Sequence, residues 1–208
     1  MADHAPATEP QEAFEVEPDE GAQAGEELRL DPEVATRRAA ALARIRKFGD
    51  PVLRTSTRTV ERWDDALRVE INQMSALMGD ALGVGLAAPQ VGILHRLLVY
   101  RVQHEAPVAV LINPEVEWAG KETEEMEEGC LSLPAVDVDV ERPVHVRVRA
   151  LDGQGEPIVV EASGLEARVI QHEVDHLDGV LILDRTSREQ RKEAVRALRA
   201  AAERDEAA

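Results

Sequence analysis

The residues best suited to carry out chemistry lie in one short segment. His172, Glu173 and His176 form the pattern His-Glu-x-x-His. On a helix, histidines four positions apart have Cβ atoms about 5–6 Å apart, so both imidazoles can reach one metal ion. Glu173 is one position round the helix, close enough to act on a water at that ion without binding the ion itself. The pattern predicts a metal-dependent hydrolase in which Glu173 handles the proton.

The segment before these residues has the features of a helix that could position them. Ser163, followed three residues later by Glu166, has the form of a capping box, which predicts that a helix begins near Ser163. Gly179 can end this helix. Four side chains are then expected to share one face of it: Leu165, Val169, His172 and His176.

A catalytic metal site of this kind needs a third protein ligand, because such sites keep three ligands and leave one position for water. The chain has a single cysteine, Cys130, within the segment Glu-Gly-Cys-Leu-Ser at residues 128–132. A free cysteine is most often a small buried apolar residue. This one follows Gly129, which permits close approach of the backbone, and a thiolate suits iron or zinc. Cys130 is therefore the candidate third ligand.

A glycine-rich segment over residues 83–92 has, on paper, the spacing of a dinucleotide fingerprint at Gly83, Gly85 and Ala88. That fingerprint needs a strand before it and a helix after it. The opposite order is predicted here, so no nucleotide cofactor is expected. A tight turn that exposes backbone N–H groups and presents Gln90 remains.

The other segments predict an α+β fold. Helical periodicity covers residues 63–81, and a shorter helix is expected over residues 34–47, ended by Gly49-Asp50-Pro51. Extended segments are expected over residues 96–102, 108–113, 144–148 and 158–161. Because turns rather than helices join these strands, antiparallel β-sheets are expected, packed around the central helix that carries the His-Glu-x-x-His motif.

Length and composition limit the class of protein. The 208 residues are enough for one domain, and the low aromatic content of 2% means that Leu, Val, Ile and Ala must build its core. One cysteine excludes an intrachain disulfide and fits a reducing compartment. We find no apolar run typical of a signal peptide or a membrane span. A cytoplasmic protein without a membrane segment is therefore expected.

The net charge of −17 is unevenly distributed. Residues 1–33 hold eleven acidic residues and one basic residue, which predicts a disordered acidic tail before a catalytic domain over residues 34–186. Such a tail repels phosphate, so no specific DNA binding is expected. Residues 187–208 are predicted to form a basic amphipathic C-terminal helix. Six basic residues lie at or near it: Arg185, Arg188, Arg191, Lys192, Arg196 and Arg199.

Three of these segments together resemble the peptide deformylase family, in order and with the family's spacing. They are Gly-Val-Gly-Leu-Ala-Ala-Pro-Gln at residues 83–90, Glu-Gly-Cys-Leu-Ser at residues 128–132 and Gln-His-Glu-Val-Asp-His at residues 171–176. The likeness spans about residues 44–186, also includes residues 48–54, 112–114, 142–143 and 176–185, and shows no departure at a motif position.

The resemblance implies that the protein removes the formyl group from N-formylmethionyl nascent peptides and releases formate. It implies Cys130, His172 and His176 as ligands of Fe(II), which Zn(II) or Ni(II) can replace, and Glu173 as the group that takes the proton of the attacking water. By the same resemblance, the Gln90 side chain and the Leu131 backbone N–H donate to the oxyanion. The resemblance assigns four residues to the bound peptide and its methionine pocket: Gly85, Val84, Glu128 and its partner Arg142.

Two other classes of function remain open on the residues. A His-Glu-x-x-His metallopeptidase would cut peptide bonds, although its third ligand is usually His or Glu rather than cysteine. A nonenzymatic metal-binding module would keep Cys130, His172 and His176 but would not need Glu173. The C-terminal helix, with a net charge of +4 over residues 185–199, could contact ribosomal RNA. Its alternative role is that of a solvated face which packs on the domain.

Overall fold

The protein is built from helices and antiparallel strands, and the computed structural model describes residues 30–206. Four α-helices occur in that range: α1 (Pro32–Leu42), α2 (Asp65–Asp80), α3 (Gly164–Leu177) and α4 (Arg188–Glu206). The strands of the same range are β1 (Gly85–Ala87), β2 (Leu97–Tyr100), β3 (Ala109–Ala119), β4 (Thr123–Cys130), β5 (Leu133–Pro143), β6 (His145–Leu151) and β7 (Pro157–Ser163). Short 3-10 helices span Pro51–Arg54, Ala88–Val91 and Ile182–Asp184. Most of the predicted acidic tail, residues 1–29, lies outside the described residues.

The strands form two antiparallel sheets. Five of them pair in the order β1-β2-β3-β6-β7, and β4 pairs with β5 as a separate hairpin. α3 contacts strands of both sheets, β1, β2 and β7 of the first and β5 of the second. The predicted α+β fold, with antiparallel sheets around the helix that carries His-Glu-x-x-His, is confirmed.

Aspartates set where the first two long helices begin. Asp31 accepts the backbone N–H of Glu33 at 2.8 Å, and Asp64 accepts that of Leu67 at 3.0 Å. As a result α1 begins at Pro32, inside the range predicted as tail, and α2 begins two residues later than predicted. α1 also ends five residues before the predicted end at residue 47.

Strand β3 is longer than predicted because its backbone continues past a break in the pattern. Asn113 has φ of 54°, and the pairing of β3 with β6 shifts register between Ile112 and Glu115. The Asn113 side chain holds this bulge by accepting the N–H of Val60 at 2.8 Å and donating to its carbonyl at 2.9 Å. The strand therefore runs to Ala119 rather than ending at residue 113.

The β4–β5 hairpin was absent from the sequence-based prediction. β4 is acid-rich, and six of its eight residues are exposed, so it lacks the alternation of a half-buried strand. β5 does carry that signal, since three buried valines alternate with acidic residues at Asp137, Asp139 and Glu141. The buried valines are Val136, Val138 and Val140.

The predicted capping box of α3 is wrong. Ser163 occupies the N-cap position of α3, but its side chain makes no capping hydrogen bond within residues 30–206. Glu166 instead accepts a hydrogen bond from the Tyr100 hydroxyl at 2.9 Å. The predicted end does occur, because Gly179 follows α3 with φ of 74°, a conformation that favours glycine.

Helix α4 packs on the rest of the described chain rather than standing apart. Ala194 and Leu198 are buried in a cluster with Val138, Val140 and Leu181. Ser187 accepts the N–H of Gln190 at 3.2 Å at the start of the helix. None of the helices within residues 30–206 has the length and hydropathy needed to cross a membrane.

Candidate active site

The structure brings the single cysteine to the two histidines of α3. The ligand atoms of Cys130, His172 and His176 all lie within 4.8 Å of one another. Cys130 Sγ is 3.2 Å from His176 Nε2, and the two imidazole centroids are 5.0 Å apart. Cys130 ends β4 and the histidines lie one turn apart on α3, so the contact of α3 with the hairpin closes the cluster. One soft ligand and two imidazoles in this arrangement suit iron or zinc.

Electrostatics favours the thiolate at Cys130. Burial alone would raise the pKa of the thiol, but His176 and His172 beside it outweigh that effect and hold the pKa well below its ordinary value of 9.0. The thiolate is the form of cysteine that binds metals. The two histidines therefore prepare Cys130 as a ligand.

Glu128 lies behind the histidines and orients one of them. Its carboxylate is 2.9 Å from Nδ1 of His172, which leaves Nε2 of that ring for a ligand. It also accepts two hydrogen bonds from Arg142, at 2.6 and 2.9 Å, and one from Arg168 at 2.7 Å. Burial alone would raise the pKa of Glu128, but His172 and Arg142 outweigh it and lower the pKa to about 2. Glu128 thus stays ionised and holds His172.

Arg142 connects this group to the back of α3. It donates to Asp175 at 2.9 Å, and Asp175 also accepts from Arg185 at 2.5 and 3.1 Å. Arg142, Glu128 and Asp175 are all buried. The predicted pairing of Glu128 with Arg142 is present, as part of a larger buried network that the sequence did not indicate.

Glu173 is buried, and Gly85 makes room for it. A Cβ at Gly85 would lie 2.9 Å from both Cγ and Cδ of Glu173, so no larger residue fits there without moving the carboxylate. Oε2 of Glu173 has no hydrogen-bond partner within the described residues. Burial raises the pKa of Glu173 against the lowering effect of His172 and His176. A buried carboxylate of raised pKa is suited to exchange a proton with a reacting group.

The Gln90 side chain is fixed at both ends of its amide. Its oxygen accepts the Ala87 N–H at 2.8 Å, and its nitrogen donates to Ser132 Oγ at 3.3 Å and lies 3.7 Å from Cys130 Sγ. Residues 85–90 are a short strand followed by a 3-10 helix rather than only the turn that was predicted, because this apolar segment is buried in the sheet. The strand and 3-10 helix bring Gln90 to the cysteine.

A cavity of about 290 Å³ opens beside these groups. It is lined by Gln90, Cys130, His172 and Glu173, together with the predicted residues Val84, Gly85, Glu128 and Leu131. Among the predicted site residues, His176 is almost fully buried behind it and Arg142 supports Glu128.

Several lining residues were not predicted as part of the site. They include Met126, Leu165, Arg168 and Val169. Ser132, which accepts from Gln90, was not predicted as a site residue either. Leu165 and Val169 were expected on the histidine face of α3, and that spacing could have identified them. Nothing local marks Arg168, whose guanidinium donates to Glu128 and to the Val140 carbonyl at 2.9 Å.

Known proteins share this fold and these motifs. A model of the polypeptide deformylase family matches residues 42–192. The peptide deformylase of Acidothermus cellulolyticus is 47% identical over 161 residues, which cover 77% of this chain and 88% of that protein. Peptide deformylase 1 of Clostridium acetobutylicum is 53% identical over 146 residues, which cover 70% of this chain and 95% of that protein.

Solved structures of peptide deformylases have a similar fold. A peptide deformylase from Synechococcus elongatus in complex with actinonin has a TM-score of 0.71 at 47% identity, over 74% of this chain and 85% of that one. A peptide deformylase from Legionella pneumophila has a TM-score of 0.74 at 39% identity, over 77% of this chain and 95% of that one. The chain belongs to the peptide deformylase family, metal-dependent hydrolases that remove the formyl group from formylated nascent peptides.

Proposed function

We propose that Cys130, His172 and His176 hold an Fe(II) ion, which Zn(II) or Ni(II) can replace, and that Glu173 transfers the proton in deformylation. One observation carries the proposal: three ligand atoms within 4.8 Å of one another lie beside a buried carboxylate at the wall of one cavity. Cysteine in the ligand set separates this site from that of a His-Glu-x-x-His peptidase.

The residues present fit a divalent ion. The cluster offers a thiolate favoured by its neighbours and a His172 ring whose second nitrogen is held by Glu128. When bound, the ion would act as a Lewis acid that acidifies water and polarises the formyl carbonyl.

Glu173 moves the proton. Its carboxylate takes a proton from the attacking water as the new C–O bond forms at the formyl carbon. It then gives that proton to the departing amine nitrogen as the C–N bond breaks, so formate and a peptide with a free amino group leave. Burial raises the pKa of Glu173, which makes its carboxylate a stronger base for the first of these transfers.

Gln90 and Leu131 stabilise the charge that develops on the carbonyl oxygen. The Gln90 amide is pinned by Ala87 and Ser132, so its nitrogen does not have to reorganise during the reaction. The backbone N–H of Leu131 is the second donor, in the turn directly after Cys130. Donors fixed before the reaction are the usual source of such stabilisation.

The apolar wall of the cavity takes the methionine side chain. Four side chains supply it: Val84, Met126, Leu165 and Val169. Three of them, Val84, Met126 and Leu165, are large apolar residues that remain exposed in the described structure. β1 is an edge strand of the five-stranded sheet, so an extended peptide can lie along Val84 and Gly85.

Replacing Glu173 with Gln tests the assignment of the base. Metal content and the thermal midpoint are expected to stay at the parent's values, because Glu173 is not a ligand. Formate release from formyl-Met peptides is expected to fall by about 10²- to 10⁴-fold, the usual contribution of general acid–base catalysis. Glu122→Gln, an exposed site with the same chemical change, is the matched control and keeps the parent rate.

The products decide among the three classes. Mass spectrometry of the parent reaction is expected to show loss of the formyl group with the peptide chain intact. Internal cleavage of the peptide would instead identify a metallopeptidase, and metal binding without turnover would identify a binding module. Formate release that survives Glu173→Gln would refute the assigned role of Glu173.

We propose further that the protein works in the cytoplasm on chains emerging from the ribosome, and that α4 contacts ribosomal RNA. The support is the exposed basic side chains of Lys192, Arg196 and Arg199, while Ala194 and Leu198 face the domain. Deleting α4 would expose that buried apolar face, so charge replacement is the cleaner test. Binding through phosphates weakens as salt rises, and the dependence on salt becomes shallower when fewer basic side chains take part.

The test compares two triple variants of equal net charge in ribosome co-sedimentation. Replacing Lys192, Arg196 and Arg199 with Gln is expected to weaken binding and to flatten its dependence on salt. Replacing three exposed basic residues outside α4, Arg44, Arg62 and Lys121, is expected to leave binding unchanged. Equal binding by both variants would refute the interaction of α4 with ribosomal RNA.

A further inference from the structure

The segment Arg46–Phe48 joins the two parts of the chain that carry the oxyanion donors. The backbone N–H of Arg46 donates to the Gln90 carbonyl at 2.7 Å, and that of Phe48 donates to the Ser132 carbonyl at 2.9 Å. Gln90 belongs to the 3-10 helix after β1, and Ser132 to the turn between β4 and β5. This segment therefore bridges two elements that are distant in sequence.

Lys47 makes the third bond of this bridge, and it does so with its side chain. Its ammonium donates to the carbonyl oxygen of Leu131 at 3.1 Å. The side chain is half-buried, and burial lowers the pKa of Lys47 against the raising effect of nearby Cys130. A hydrogen bond from a charged donor is about twice as strong as a neutral one. The carbonyl of Leu131 is thus held more firmly than a loop carbonyl in water.

The position of this bond matters because Leu131 is also the residue whose N–H faces the reaction in the proposed mechanism. The N–H and the carbonyl of Leu131 flank the same Cα, so the direction of the N–H depends on the two backbone dihedrals between them. Phe48 fixes the carbonyl of the next residue, Ser132. With Lys47 in place, both carbonyls after the donor are fixed by one short segment.

We propose that Lys47 is a positioning residue for the oxyanion donors, holding the Leu131 carbonyl so that the Leu131 N–H keeps its direction. The inference rests on the proposed function, since it assumes that Gln90 and Leu131 stabilise the oxyanion. It adds a residue that is not one of the three metal ligands and does not line the substrate cavity.

The test is Lys47→Met, which keeps the length of the side chain and removes the donor. Complete loss of one oxyanion donor costs about 10²- to 10³-fold in rate, so a donor that is merely loosened is expected to cost about tenfold in kcat. KM is expected to stay within about twofold, because ground-state binding does not use this donor. Metal content and thermal midpoint should match the parent. Lys47→Arg, which keeps a charged donor, is expected to restore at least half of the parent kcat.

A readout independent of turnover accompanies the kinetics. In the zinc-loaded protein, the amide resonance of Leu131 is expected to shift in Lys47→Met and to return toward the parent in Lys47→Arg. Lys121→Met, the same change at an exposed lysine, is the matched control and should change neither the resonance nor kcat.

The outcomes separate this inference from the proposed function. A parent protein that releases no formate refutes the proposed function. An active parent whose Lys47→Met variant has an unchanged kcat refutes only the role of Lys47. If Lys47→Met loses its metal or does not fold, Lys47→Gln, which keeps a neutral donor, takes its place in the comparison with the parent. A parent-like kcat and Leu131 resonance in a folded Lys47→Gln support the inference, and a loss of metal there refutes it in favour of a structural role.

Discussion

Arg142 is expected to be one of the most costly residues to replace away from the reacting atoms. Its guanidinium donates to Glu128 at 2.6 and 2.9 Å and to Asp175 at 2.9 Å, and all three side chains are at least nine-tenths buried. Removing one partner of a buried ion pair costs about 3–5 kcal/mol, because the charge left behind stays out of water.

The partners that remain after Arg142→Met determine how much unfolding free energy this substitution costs. Glu128 would keep Arg168 and His172, and Asp175 would keep Arg185, so neither carboxylate loses every partner. We therefore expect the lower end, about 3 kcal/mol of unfolding free energy. With a urea m-value of about 2 kcal/mol per M, the midpoint of unfolding falls by about 1.5 M.

The assay is urea unfolding of the zinc-loaded protein, followed by circular dichroism at neutral pH with a fixed excess of zinc. Arg149→Met is the matched control, because Arg149 also pairs with two carboxylates, Glu115 and Glu117, but on the exposed surface. Exposed pairs contribute little, so its midpoint should stay near that of the parent. If Arg142→Met lowers the midpoint no more than the control does, the buried network does not carry the stability assigned to it.

Local geometry supports two further predictions. Gly85→Ala places a methyl group 2.9 Å from Cγ and Cδ of Glu173, so kcat for formate release should fall by at least about tenfold. Gly153→Ala is the control, because its new methyl group meets nothing nearer than 4.0 Å, and its kcat should stay unchanged. Equal kcat values for the two variants would refute the close approach of Gly85 to Glu173. Burial alone would raise the pKa of Asp184, but Arg54 and the N–H of Leu181 outweigh burial and lower this pKa below its ordinary value of 3.8. The ionised Asp184 therefore stabilises the fold above pH 3.8, and this contribution is lost as the pH falls through the lowered pKa. Asp184→Asn should thus cost about 1 kcal/mol in urea unfolding at pH 7, and the difference from the parent should shrink below about pH 4; a constant difference would contradict this.

The sequence-based predictions were accurate where local periodicity governs the structure. The helix that carries His-Glu-x-x-His was predicted from local spacing, because residues of a single element set that spacing. The strands predicted over residues 144–148 and 158–161 are present and somewhat longer, at His145–Leu151 and Pro157–Ser163. The capping-box prediction was wrong because Glu166 accepts a hydrogen bond from the Tyr100 hydroxyl, on a strand distant in sequence. The β4–β5 hairpin was missed because the exposed acidic strand β4 gains its structure from pairing with β5.

The sequence by itself determined that His172, Glu173 and His176 stand together, since one turn of helix sets their spacing whatever surrounds them. It also supplied the single cysteine and the motif order that indicated a deformylase. Only the tertiary structure decided that Cys130 lies 3.2 Å from His176 and that Gly85 leaves space for Glu173. The network of Glu128, Arg142 and Asp175 was likewise hidden, because buried ion pairs join residues whose distance in space bears no relation to their separation along the chain.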